Sequence, residues 1–180
     1  MNRKVKAKDR AAAVEFVNKL IEQYTTAVKG LNELFEVAPD LCYKDDGVGC
    51  CNLDTATSRK GIVGPARSKL IRQRRSKLEK HDLTPHNACA YHKINEGCIL
   101  DELKSPLCTA HYCKGELDDT KYGADYVFRM LKYLLNTEAR KGNRKTKIES
   151  GWRIVGEVLD YADDIKREVS DSGIETSVDG

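Results

Sequence analysis

Proline is scarce in this chain, and so are phenylalanine and tryptophan: four prolines, three phenylalanines and one tryptophan, beside eight tyrosines, among 180 residues. Few prolines and many Lys and Glu residues favour helix over sheet. No apolar run is long enough to cross a bilayer, so no membrane association is expected. The basic start MNRKVKAKDR is not followed by an apolar stretch of signal-peptide type. AAAVEFVNKL comes next, with charges at helical spacing, so a cytoplasmic protein is expected. In that reducing compartment seven cysteines rarely make a disulfide framework. Also missing are a glycine-rich nucleotide fingerprint, a recoverable Ser-His-Asp arrangement and any conspicuous carboxylate pair. The residues themselves therefore name no reaction.

The length suits a single domain spanning 1–180, and the 40% apolar share fills one modest core. The net charge of +3 conceals an asymmetry. Residues 59–80 hold nine Lys/Arg and one acid, Glu79, whereas 157–180 hold eight acids and two bases. The two regions either attract each other or meet different partners.

Four helices are predicted. Over 10–37 the apolar residues run from Ala13 through Phe16, Leu20, Tyr24, Val28 and Leu31 to Phe35, one stripe at three-four spacing. Asp9 is the expected cap, residues 1–9 an arm outside the helix, and Ala38-Pro39 the stop. Pro65 opens a basic helix over 65–80 whose apolar side is thin: Ala66, Leu70, Ile71 and Leu78. A third helix covers 119–140, with Tyr126, Val127, Leu131, Leu134 and Leu135 on its stripe and Gly142 as its stop. A fourth covers 147–170, opened by Thr146 and Glu149 at capping-box spacing, with Trp152, Val155, Val158, Ala162 and Ile165 inward. Residues 171–180 read as a disordered tail. The stretches 40–64 and 82–116 read as irregular loops punctuated by Gly and Pro. The expected fold is mostly α: a small helical bundle with an irregular cysteine-rich metal-binding loop region, monomeric or dimeric.

Those loops carry the chemistry. The cysteines are Cys42, Cys50, Cys51, Cys89, Cys98, Cys108 and Cys113, and none lies on a helical stripe. Buried structural cysteines usually replace apolar residues in a periodic pattern, whereas these sit among Gly, Asn, Asp, Lys and His. Clustered thiolates suit zinc, cuprous copper or iron–sulfur. No C-x-x-C is present, and the gaps between Cys89, Cys98 and Cys108 are wide. Wide spacing leans toward a cluster, with four thiolates the usual count and 4Fe-4S the favoured form, and zinc the other choice. Cys50 and Cys51 are adjacent, so their side chains diverge and one small ion is not expected to take both. The metal set is therefore drawn from Cys50, Cys51, Cys89, Cys98, Cys108 and Cys113, with Cys42 in reserve. His111 completes a Cys-x-x-His with Cys108, while His81, His86 and His92 lie in or near the same segment. The plain readings are reduced thiols without metal, or disulfides leaving one cysteine over.

The pair Cys50-Cys51, followed at a distance by CAYHKINEGCILDELKSPLCTAHYC, resembles the YkgJ-type family of zinc- or iron-chelating cysteine-cluster proteins. The likeness spans about residues 42–113. Cys89, Cys98, Cys108 and Cys113 follow the family's last four cysteines in order, and Cys50-Cys51 its pair. The cysteine the family carries just ahead of the pair is missing, Gly47 standing there, and its Arg-Pro is only echoed by Lys104-Ser105-Pro106. The resemblance implies a metal centre and not a reaction. A related pattern in a flagellin lysine methylase extends the implication to a cluster-dependent protein methyltransferase.

The basic helix offers another function, contact with a nucleic-acid backbone through Arg67, Lys69, Arg72, Arg74, Arg75 and Lys77, the metal then being structural. Aromatics that would read bases are not interleaved there, so such binding would be weakly sequence-specific. The common fate of a charge run is simply a solvated face.

Overall fold

The structure, a computed structural model, describes residues 3–37, 65–80, 91–93, 97–112, 123–136 and 142–171. It is mostly helical, a small bundle. Helix α1 is Arg3–Val37, α2 is Pro65–Lys80, α3 is Pro106–Tyr112, α4 is Gly123–Leu135 and α5 is Arg144–Asp171. Between α2 and α3, strands β1 (His92–Lys93) and β2 (Gly97–Cys98) pair antiparallel, His92 opposite Cys98. A short 3-10 helix, Asp101–Leu103, follows. The stretch 40–64 and the tail 172–180 lie outside the described residues.

Helix α1 is the hub. It packs most extensively on α5 and also meets α4, α2, α3 and the 3-10 helix. Its predicted stripe is the core: Leu20, Tyr24, Ala27, Val28 and Leu31 are fully buried and Ile21 nearly so. A side chain at Gly30 would run into Leu159 of α5, so glycine permits the close approach there. Gln23, buried, donates from Nε2 to the Ile148 carbonyl at 2.6 Å and ties α1 to the start of α5. The helix begins at Arg3, not Arg10, and Asp9 lies inside it rather than capping it. Residues 3–9 contain neither Gly nor Pro and three of them are Lys, so nothing stops the helix from running past the end of its apolar stripe.

Helix α4 buries Val127, Leu131, Leu134 and Leu135 as expected, but ends at Leu135 instead of Arg140. The Asn136 N–H closes its last turn by donating to the carbonyls of Lys132 and Tyr133. Residues 119–122 and 137–140 of the predicted span lie outside the described residues. Gly142 does not end α4. With φ of 99° it sits just ahead of Asn143, which is the cap of α5. Asn143 Oδ1 accepts the Thr146 N–H at 3.0 Å, and its carbonyl accepts the Lys147 N–H at 3.0 Å. Thr146 is thus inside the first turn, and the cap lies three residues before the predicted one. Asn143→Ala should cost about 0.5–2 kcal/mol, read as a lower urea midpoint with an unchanged slope.

Trp152, expected inside, is 40% exposed. The buried line of α5 is Ile154, Val155, Val158, Tyr161, Ala162 and Ile165. Tyr161 meets Tyr126 of α4 edge to face, with ring centroids 5.5 Å apart.

Candidate metal centre

Within the predicted loop 82–116, the described residues 91–93 and 97–112 are more regular than the breakers there suggest. Ser105-Pro106 does not interrupt structure but starts α3. Ser105 is the N-cap, its Oγ accepting the Cys108 N–H at 3.0 Å, and its carbonyl accepts the Thr109 N–H at 2.9 Å. Pro106 takes the first helical position, where no N–H is needed. The cap thereby fixes where Cys108 sits. Upstream, the Ile99 N–H donates to the Tyr91 carbonyl at 3.0 Å, prolonging the small ladder that contains Cys98.

This segment has apolar anchors of its own. Leu100 is fully buried, and Leu103, Tyr91 and Ala110 belong to the same core as the bundle. Cys98 and Cys108 are half-buried and pack against that core. A packing role for these two thiols, not visible in the pattern of the chain, therefore exists. Neither is in a disulfide.

Polar bonds dock the same turn. The Tyr24 hydroxyl of α1 donates to the Lys104 carbonyl. Arg74 Nε of α2 donates to the Leu103 carbonyl at 2.5 Å. Lys104 Nζ donates to Asn32 Oδ1 of α1 at 3.0 Å. Lys77 reaches Asp101 at 3.2 Å, an exposed pair of small worth. Asp101 itself holds a left-handed backbone, φ 47°, at the tight entry of the 3-10 helix.

Burial pushes the Tyr24 phenol well above its ordinary pKa; Arg74 opposes that shift and Cys108 adds to it. A phenol held neutral in the fold contributes stability that is complete below about pH 10, where tyrosine in the unfolded chain ionises, and is lost as pH rises beyond it. Tyr24→Phe should flatten that alkaline loss while costing about 1 kcal/mol at neutral pH for the missing hydrogen bond. Urea midpoints measured on both proteins at neutral and alkaline pH check the two effects together.

The electrostatics of this interior are one-sided. The buried polar or charged side chains among the described residues are Gln23, Arg74, Lys104, Ser105 and Thr109. Two are cations and none is a carboxylate. Arg74 is 7% exposed, and its Nη2 is buried without a hydrogen-bond partner. Proteins rarely leave a buried guanidinium nitrogen in that state without a reason.

Of the six predicted metal ligands, Cys98 and Cys108 fall in the described segment, while Cys50, Cys51, Cys89 and Cys113 lie outside the described residues, as do Cys42, His81 and His86. His92 is in β1 and His111 in α3. Among the described residues no three His, Cys, Asp or Glu side chains gather as a metal-holding group. Cys98 and Cys108 are the two thiols of the predicted set that the described segment carries, one in β2 and one in α3.

The basic helix looks different from its sequence. Arg74 is buried on the inner face rather than offered to solvent. It belongs to the line Ala66, Leu70, Arg74, Leu78, each four residues from the last, and that register was the available signal for its burial. Lys69 Nζ donates to Asn18 Oδ1, and Lys77 is taken up by Asp101. Arg72 and Arg75 are exposed and Arg67 is partly so. The six-residue phosphate-binding surface thus loses its middle member.

No protein-family model matches the chain, and no curated protein or solved structure matches it either. The YkgJ-type resemblance accordingly rests on the cysteine motif alone. Among the described residues, no helix is long and apolar enough to cross a membrane.

Proposed function

We propose that this protein holds a metal on cysteine thiolates, an iron–sulfur cluster or else zinc, where the 3-10 helix and α3 meet α1 and α2. The observation that carries the reading is the setting of Cys98 and Cys108. Neither is in a disulfide, both are half-buried, and in the chain they flank a turn whose carbonyls are gripped by a buried tyrosine and a buried arginine. Half-burial restricts solvent access to a thiolate without closing the approach of other ligands. The remaining ligands are drawn from Cys50, Cys51, Cys89 and Cys113. A thiolate centre implies a reducing, cytoplasmic setting. Its role is structural or redox.

The docked apolar residues change what the metal is needed for. Leu100 and Leu103 already anchor the turn in the core, so the metal adds to an apolar docking rather than replacing it. Anaerobic purification of the full chain, followed by metal analysis and visible spectroscopy, tests the proposal. Iron with sulfide and broad visible absorbance identifies a cluster; stoichiometric zinc in colourless protein identifies zinc. Folded protein without either contradicts it.

A further inference from the structure

The contacts of α1 set two of its neighbours parallel to it. Along α5, Phe16 meets Arg144, Gln23 bonds the Ile148 carbonyl, Gly30 meets Leu159 and Glu33 pairs with Lys166. Along α2, Asn18 accepts from Lys69, while Tyr24 and Arg74 donate to the neighbouring carbonyls of Lys104 and Leu103. The three helices therefore start at one end of the bundle, and α1 runs on past the level where α5 begins. From Phe16 back to Arg3 this arm is roughly 20 Å long at about 1.5 Å per residue. Asp9, Arg10, Ala11 and Val14 on it are exposed.

The alignment sorts charge that the chain scatters. Helix α1 carries six bases and two acids from Arg3 to Lys19, then one base and three acids as far as Val37. Helix α5 carries four bases and one acid from Arg144 to Arg153, then two bases and six acids as far as Asp171. Two acids of the basic end are engaged on their own helices, Glu15 by Lys19 at 3.1 Å and Glu149 by Lys145 at 3.8 Å. Arg10, Arg72 and Arg144 are exposed, one on each of the three helices. Between α1 and α5 at this end lies an open cavity of about 440 Å³, lined by those two ion pairs and by Phe16 and Ile148. Trp152 stands one turn beyond Ile148 on the same side of α5 and is 40% exposed.

We propose that this end of the bundle binds single-stranded nucleic acid, with phosphates against Arg10, Arg72 and Arg144 and an unpaired base against Trp152. Nothing in the inference depends on the metal centre. A sugar-phosphate backbone is a line of negative charge, and bases drawn from several helices can follow it. A single strand, unlike a duplex, has base faces free to stack on an exposed indole. The acidic far halves of α1 and α5 repel the strand and confine it to the basic end. An anionic bilayer is a poorer match, because a helix lying on one needs a broad apolar face, and Arg3–Arg10 has only Val5 and Ala7 as apolar residues.

The full chain is titrated into a labelled mixed-sequence oligonucleotide, as strand and as duplex, and into vesicles of anionic phospholipid. The strand should bind best, with affinity falling steeply as salt rises. Arg10→Glu combined with Arg144→Glu should flatten the salt dependence, lowering its logarithmic slope by about two, and weaken binding more than about tenfold. Lys29→Glu combined with Arg167→Glu makes the same charge change at the acidic end and should do much less. Trp152→Ala should weaken the strand about tenfold and leave the duplex unaffected. All five positions are exposed, so circular dichroism should be unchanged. One readout needs no variant: Trp152 is the only tryptophan, and its fluorescence should be quenched by the strand and restored by salt. No strand binding at low salt, tighter binding to vesicles, or an indole unquenched in the saturated complex overturns the proposal. So do equal losses from the two charge pairs, and strand binding by Trp152→Ala equal to wild type. Loss of binding in Arg72→Glu with Arg75→Glu, but none in the Arg10 and Arg144 pair, also overturns it and leaves α2 as a lone basic helix.

Discussion

Cys108→Ser is expected to lower metal affinity more than a hundredfold while leaving the helical content of the bundle intact. Serine keeps the size and the backbone hydrogen bond to Ser105, but its hydroxyl stays protonated at neutral pH and is a hard donor. Structural zinc sites bind with about 10–16 kcal/mol, so one of four thiolates accounts for roughly 3 kcal/mol, or more than two powers of ten. Chelator competition measures the affinity and far-ultraviolet circular dichroism the helix. Cys108 is half-buried and not at the centre of the core, so the fold should survive. Unchanged metal binding in Cys108→Ser, and likewise in Cys98→Ser, would remove the two described cysteines from the ligand set.

The second large effect concerns Leu100. This side chain is fully buried between the ladder containing Cys98 and the turn that leads to Cys108. Leu100→Ala should destabilise the protein by about 2–5 kcal/mol, the range for deleting a buried leucine with incomplete collapse of the cavity. The loss should appear in metal-free protein, because the anchor belongs to the core and not to the metal. Local opening should spread from the cavity, so the amides of Ile99, Leu103 and Thr109, bonded within this segment, should exchange faster. A cost under about 1 kcal/mol in urea denaturation would mean the segment is not part of the cooperative core.

That outcome bears on how far the chain can be read from its residues. The helices are legible where periodicity and punctuation agree. Pro65 marks the first residue of α2, Pro39 lies just beyond the end of α1, and the stripe from Leu20 to Leu31 is the core. The bundle class follows from those stripes. Sequence and structure part where one local signal is weighed without its partner. Ser105-Pro106 looks like a breaker until the serine is read as a cap and the proline as the first helical residue. Thr146 and Glu149 have capping-box spacing, but Asn143 stands free of the helix and takes the N–H first. Size argues for Trp152 inside, although Ile154 and Tyr161 fit the seven-residue line through Val158 and Ile165 better.

The candidate site is legible in part for a related reason. Sulfur content points to Cys98 and Cys108, but apolar pattern gives no hint of their packing, since Leu100 and Leu103 sit in too short a stretch to show a period. Tyr24 and Arg74 are hidden in plain stripes. A tyrosine on an apolar line normally means core, and an arginine in a run of bases normally means solvent. Only the fold shows that both converge on the carbonyls of residues 103 and 104. The charge of α2 accordingly suggests a nucleic-acid partner in the sequence, although one of its arginines serves the interior.

The claim that thiols far apart in the chain meet at one inorganic centre can be tested on the cysteines themselves. The measurement is alkylation of the anaerobically purified protein before and after chelation, with every modified cysteine mapped by mass spectrometry. Cys98 and Cys108 should be protected before and reactive after, together with at least two of Cys50, Cys51, Cys89 and Cys113, and the change should follow metal release in time. Reactivity at Cys98 and Cys108 that chelation leaves unaltered would contradict the account.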